Sequence, residues 1–570
     1  MTLTLSSSNF FVRSVLGFGL ALGITAISDA WADNEFVYDS GNGVVFQVTA
    51  DGLSRVSLDG REIAGGGLTF HDASYRFNAG PGIGSLGNST GKLLTVLSET
   101  VARVRHEYEK AAVVYTYEFN GEDVSISARV ENNHLSEQIR VAGFRGPTFR
   151  FGAPPRGHVP NSHASFNRHE GLRTMHPGHF QRLGVSYGYS DAFGVAVYPC
   201  NREVRRTATY FDYNWQPNMR EKDPNRTILH FVEGPVPPQG ALTFHFGIRV
   251  SPTTDWKHLI TPYRDYLHTQ LGGMQYNQKS YRPMLACYPD NAARRSEANP
   301  YGFQHTRELH TAQGVKEFCD YMLRGAPPLE AQGMIIWTPY GASERGAMYR
   351  TDFDVWPPEV LENWPYVRKR FEDAGVRLGF ASRPAEITVR KNWQTDATMW
   401  RSPDNSSQVG RLIARFNNMR ERGLDMAYMD VFGNRFEDLL LAQKCRAALG
   451  PDWHGYSEYT TDVFLPYFGV YVEMHDFDPE KKTASTAWTS FWMWEVFLWL
   501  YPDAAIAIRP HDKLHDQLSG DDFLALADFV YSNRMMLLLP AYWMSNSPDT
   551  AARIKEVVDK YLDENGQWKK

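Results

Sequence analysis

From Arg282 onward the chain repeats one pattern: a short apolar run, a polar loop, then a segment of helical periodicity. Eight apolar runs fit it, at residues 284–288, 334–337, 377–381, 426–430, 455–458, 470–474, 504–508 and 535–539. Helical segments at 306–323, 364–374, 407–423 and 521–533 fall between them, and one at 547–562 closes the series. Strands covered by helices on both faces are apolar along their whole length, whereas half-exposed strands alternate. Eight such units in roughly 290 residues predict a (β/α)8 TIM barrel. A doubly wound open sheet is the rival, but no Gly-rich phosphate loop follows the first run.

Residues 36 to 250 follow a different grammar. Stretches at 44–49, 113–119, 124–130, 194–198 and 242–250 alternate or run apolar between Gly, Asn and Asp turns, with no helical period. That pattern predicts a large β-sandwich. A chain of 570 residues exceeds one core, and it divides here into 1–32, 33–270 and 280–570. The first piece reads as a signal peptide: Arg13, an apolar stretch at 15–27, then Ala30 and Ala32 ahead of a cleavage point. Its apolar core is too short to span a bilayer. The mature chain is therefore expected to be secreted or periplasmic, with no membrane span after cleavage.

Composition narrows the partners. A formal charge of −6 with both signs interspersed argues against nucleic acid. Four cysteines (Cys200, Cys287, Cys319, Cys445) are too few for a disulfide scaffold and have no metal-ligand spacing. Aromatic residues make up 14% of the chain, which suits stacking on sugar faces and equally suits well-filled cores.

A barrel places its chemistry at the C-terminal ends of its strands. Those ends carry Asp290 and Asn291, Tyr340 and Glu344, Arg383 and Glu386, Asp430 and Asn434, Glu458 and Asp462. His475, Asp476 and Asp478, then Arg509, His511 and Asp512, and finally Tyr542 and Trp543 complete the set. Any one of these polar groups also makes an ordinary helix cap or turn former. The collection on one face points to a site. Asp430 ends strand four and Glu458 ends strand five, and two flanking carboxylates are the equipment for cleaving a glycosidic bond. The short Asp suits the nucleophile and the Glu suits the acid/base, its affinity for a proton raised by burial or by the neighbouring charge. Arg383, Asn434, Asp476, His511, Asp512, Tyr340 and Trp543 are the expected substrate contacts. An oligosaccharide or polysaccharide is the expected partner, with no cofactor and no metal.

Other chemistries have weaker support. His158, His163, His169, His176 and His179 cluster without helical period or carboxylate pairing, so a polar loop fits better than a metal site. No Gly-x-Ser-x-Gly elbow supports a serine hydrolase. A polysaccharide lyase and a non-catalytic carbohydrate-binding protein stay open at this level.

The phrase from Met426 to Asn434, with Tyr428, Asp430, Val431, Phe432 and Gly433, resembles the endo-α-N-acetylgalactosaminidase family of glycoside hydrolases. The resemblance implies a β-supersandwich ahead of a (β/α)8 barrel, a nucleophilic Asp430 and an acid/base Glu458 on the next strand, acting on α-linked glycans with retention. The strands at 124–144, turning through Val130 to Asn133, are similar to the galactose-mutarotase-like supersandwich. In α-galactosidase-like barrels the acid comes from strand six, which here implies Asp476 or Asp478 as the alternative.

Overall fold

The computed structural model describes residues 34–71, 85–153, 155–157, 183–202, 207–212, 224–287, 311–336, 356, 358–389, 395–433, 435–481, 483–486, 491–511, 514 and 518–570. The expected leader and the histidine cluster lie outside these residues.

The first half is a sandwich of two antiparallel sheets. One has eight strands, in the order Phe36–Asp39, Val44–Thr49, Gly52–Leu58, Arg61–Gly65, Ile139–Arg150, Asn225–Val236, Thr207–Asp212, with Thr69–His71 also beside Ile139–Arg150. The other has seven: Ser186–Tyr189, Gly194–Pro199, Ala241–Ser251, Asp123–Asn132, Ala111–Asn120, Val101–Tyr108, Gly91–Ser98. Burial alternates along Val44–Thr49 and Asp123–Asn132, as a strand with one face inward requires. Phe46, Tyr115, Phe144 and Phe246 fill the space between the sheets. The two strands at 124–144 do not pair with each other. Asp123–Asn132 lies in the seven-stranded sheet and Ile139–Arg150 in the eight-stranded one, so the turn between them crosses the sandwich. Both segments have the same alternation, and periodicity cannot say which sheet a strand joins.

A helix, Trp256–Thr269, links the halves. Asp255 caps it by accepting from the Lys257 amide at 3.0 Å. Its buried face, Leu259, Ile260 and Tyr263, packs with Tyr187, Ala196 and Tyr198 from the outer side of the seven-stranded sheet, and this core is continuous with that of the barrel.

The second half is a closed barrel of eight parallel strands. In order these are Met284–Cys287, Gly333–Ile336, Arg377–Ser382, Leu424–Met429, His454–Ser457, Gly469–Asp478, Ile506–Pro510 and Met536–Pro540, the last pairing with the first. All eight apolar runs are barrel strands. Helices Ala312–Met322, Trp364–Asp373, Ser406–Glu421, Gly520–Ser532 and Pro548–Val558 lie where helical period predicts them, and a further helix, Phe436–Leu449, follows strand four. Among the described residues no helix is long and apolar enough to cross a membrane. Residues Phe491–Leu500, apolar but for Glu495 and carrying three tryptophans, form a ten-residue helix.

Three local features depart from a simple repeat. A hairpin, Ala385–Val389 with Thr395–Trp400, stands out after strand three. Strand six runs on to Asp478 and pairs with Thr483–Thr486. Strands five and six are joined by a buried loop with no helix. These departures gather on the side of the barrel where the carboxylates emerge.

Candidate active site

Parallel register brings three side chains together. Met429 pairs with Ser382 on one side and Ser457 on the other, so the next residues, Arg383, Asp430 and Glu458, lie adjacent at the ends of strands three, four and five. Backbone bonds continue the sheet one step past the strands: the Asp430 amide donates to Ser382 at 2.8 Å and the Glu458 amide to Met429 at 3.1 Å. The three groups are thus fixed by the sheet itself.

Asp430 is almost fully buried. The Arg383 guanidinium donates through Nε to its Oδ2 at 2.5 Å and through a second nitrogen to the same oxygen. Tyr428, two residues earlier on the same strand face, donates its hydroxyl to Oδ1 at 3.3 Å. Helix capping, the ordinary alternative for Asp430, is performed by another residue. Asp438 accepts from the Gly433 and Arg435 amides and pairs with the Arg435 side chain, closing the start of helix Phe436–Leu449.

Glu458 accepts from the Val431 amide at 2.8 Å. Val431 has a φ of +50°, a left-handed conformation rare for a β-branched residue. Strain of this kind persists only where surrounding contacts over-determine it, and here it turns the amide toward the acid. Burial, then the negative charge of Asp430, pushes Glu458 up to about 7, and the Glu458 carboxyl is itself hydrogen-bonded to Asp430. A protonated Glu458 donating to the Arg-paired Asp430 accounts for all of these contacts.

Gly433 keeps the two strand ends in contact. Its φ is +108°, and a Cβ there would lie 2.2 Å from the Tyr459 carbonyl oxygen. The Tyr459 amide in turn donates to Phe432 at 3.0 Å. The Gly after the strand-four acid is therefore a requirement of close backbone approach.

A third carboxylate joins them from strand six. Glu473 Oε1 accepts from the Tyr471 hydroxyl at 3.0 Å and from Arg509 on strand seven at 3.0 Å. Its charge adds to the upward push on Glu458, and the Tyr428 and Tyr471 rings meet at 4.9 Å between centroids. Sequence reading passed over Glu473 because it lies inside the strand. The usable signal is period two: Tyr471 and Glu473 share a face, as do Tyr428 and Asp430.

The remaining expected residues are dispersed. Asp476 is exposed on the extension of strand six. Asp478 sits at the hairpin tip, paired with Lys481 at 2.6 Å and accepting from the Glu480 and Lys481 amides, which lowers its proton affinity. His511 is half-buried, its ring 4.7 Å from that of His475. Trp543 packs on Phe523 with ring centroids 4.0 Å apart, between two outer helices. Glu386 pairs with Arg411. Tyr340, Asn434 and Asp512, like Asp290, Asn291 and Glu344, lie outside the described residues. The four cysteines are free thiols, three of them buried.

A β-sandwich packed through a linker helix onto a (β/α)8 barrel with acids at its strand ends is a fold found in solved glycosidases. Among these, the α-N-acetylgalactosaminidase NagBb from Bifidobacterium bifidum, in its Gal-NHAc-DNJ complex, superposes with a TM-score of 0.57 at 12% identity over 92% of each chain. Its GalNAc complex gives 0.54 at 12% identity over 94% of each chain. The two proteins share their fold along nearly the whole length. No protein-family model matches the sequence, and no curated protein does.

Proposed function

We propose that the protein is an exported glycoside hydrolase that cleaves α-linked glycans with retention, using Asp430 as nucleophile and Glu458 as general acid and then base. The observation that carries this reading is the Asp430–Glu458 pair: a buried Asp430 held by Arg383 beside a half-buried Glu458 pushed up to about 7. Nucleophile and acid must differ in proton affinity, and burial with the neighbouring Asp430 charge raises that of Glu458. Inverting enzymes need their carboxyls about 6.5–9.5 Å apart to admit a water and retaining ones about 5–5.5 Å, and the adjacent strand ends that carry Asp430 and Glu458 favour the shorter span.

In the first step Asp430 attacks the anomeric carbon while Glu458 gives its proton to the departing oxygen. Asp430 then becomes an uncharged ester. The charge that raised Glu458 is gone, so its carboxylate is stable enough to take a proton from the incoming water. Attack of that water releases the sugar and restores both groups. Arg383 holds the nucleophile in one orientation, and Glu473 with Arg509 lines the wall toward strand six.

The fold shared with an α-N-acetylgalactosaminidase makes α-linked N-acetylgalactosamine the first sugar to test. A strand-six acid has less support, since Asp478 is committed to Lys481 and Asp476 is exposed. A panel of nitrophenyl α- and β-glycosides, read for released phenol and for the configuration of the first-formed sugar by NMR, tests the proposal. Asp430→Asn should lower turnover on the order of 10³-fold or more. Near-wild-type activity, or products bearing a new double bond, would refute it.

A further inference from the structure

We infer that Asp462 is a positioning residue that ties the Glu458 loop to the β-sandwich, so that docking of the two halves sets the aim of the acid. This rests on Glu458 being the acid.

Asp462 lies four residues beyond Glu458 and is 1% exposed. It faces away from the nucleophile, toward the linker helix and the first domain. Its Oδ2 accepts from the Gly184 amide at 2.6 Å and from the Tyr263 hydroxyl at 2.6 Å. Its Oδ1 accepts from the Val463 amide at 2.9 Å. Gly184 just precedes sandwich strand Ser186–Tyr189, and Tyr263 is on the linker helix. One carboxylate therefore joins three parts of the chain.

The segment between Glu458 and Asp462 has little slack. Tyr459 donates its amide to Phe432 and its carbonyl accepts from Ser457 Oγ at 2.6 Å. Thr460 and Thr461 are buried, and Thr461 Oγ1 accepts from the Phe464 amide at 3.2 Å. No helix separates strands five and six here, so these few bonds are what orients the loop. The partner position is equally specialised: a Cβ on Gly184 would lie 2.2 Å from the Tyr263 hydroxyl oxygen.

A buried carboxylate with three neutral donors is a costly device if packing alone were needed. Burial pushes Asp462 up to about 7, against the pull of its donors. Such a group gives direction where an apolar contact gives only proximity. Misplacing a catalytic group by about 1 Å costs on the order of 10²-fold in rate.

The test separates positioning of the acid from general damage. Asp462→Ala, Asp462→Asn and Tyr263→Phe are assayed on a dinitrophenyl glycoside, whose leaving group needs little protonation, and on an alkyl glycoside, whose leaving group needs it fully. Asp462→Ala should lower kcat/KM for the alkyl substrate roughly 10- to 100-fold and leave the dinitrophenyl substrate within about threefold of wild type. Asp462→Asn keeps an acceptor toward Gly184 and Tyr263 and should recover most of the loss. Tyr263→Phe removes one donor, folds more safely, and should show a smaller loss confined to the alkyl substrate. Equal losses on both substrates, or none on either, overturn the inference. Glu458→Gln serves as the control: if it too lacks leaving-group dependence, the assignment of the acid fails rather than the clamp.

Discussion

The pH dependence of kcat/KM on a poor leaving group reads the environment of Glu458 directly. Its ordinary value is near 4.5; burial first, and the charge of Asp430 second, raise it to about 7. At about 1.4 kcal/mol per pH unit, the proton is held roughly 3.5 kcal/mol more tightly than in water. The sign follows from the role. A raised carboxyl stays protonated through neutral pH and is competent as an acid, then loses its proton above about 7. Activity on an alkyl glycoside should therefore be level from pH 5.5 to 6.5 and fall about tenfold per unit beyond the midpoint, roughly thirtyfold by pH 8.5. The dinitrophenyl substrate should show little of this basic limb. Glu458→Gln should abolish the limb together with most alkyl-glycoside turnover. A basic limb that persists in Glu458→Gln, or wild-type activity already lost by pH 5, would refute the assignment of the proton to Glu458.

Three further perturbations bear on the same geometry. Arg383→Met leaves the buried Asp430 carboxylate without its cation, and should cost about 3–5 kcal/mol of stability in urea unfolding, most of it recovered by adding Asp430→Asn. Gly433→Ala forces a side chain onto the Tyr459 carbonyl in a left-handed conformation, and should lower stability by about 2 kcal/mol while reducing alkyl-glycoside turnover. Asp462 has a folded value raised to about 7, well above an unfolded Asp near 4. The native state then holds a proton that the unfolded chain lacks between those two pH values, so stability is greatest below about pH 4 for this group and falls as pH rises to 7, on the order of 4 kcal/mol in all. Thermal melts at pH 5 and pH 8 should show wild type losing more stability than Asp462→Asn over that interval.

Much of the architecture is legible in the sequence, for a physical reason. A strand buried on both faces is an unbroken apolar run, and eight of these recur between helices. What periodicity does not carry is partner choice. Residues 124–144 show the right alternation, yet their two strands belong to opposite sheets, because alternation records only that one face is inward. The same limit shaped the site. Asp430 and Glu458 were visible as polar residues ending apolar runs. Glu473 was hidden because strand six continues past it to Asp478, which turns a residue at the site's edge into one inside a strand. Asp476 and Asp478 looked like strand-end acids for the same reason, whereas the strand carries them out onto a hairpin. Asp462 was visible as a polar residue, but nothing local reveals that its partners are 199 and 278 positions away.

The central claim is that Asp430 forms a covalent bond to the sugar. Glu458→Ala, incubated with a dinitrophenyl α-N-acetylgalactosaminide and quenched in acid, should retain one sugar residue per chain, and peptide mass mapping should place it on the fragment that contains Asp430. Added azide should discharge the adduct as a glycosyl azide. Turnover with no adduct and an inverted first product, or an adduct mapped to Glu473 or another residue, would contradict the account.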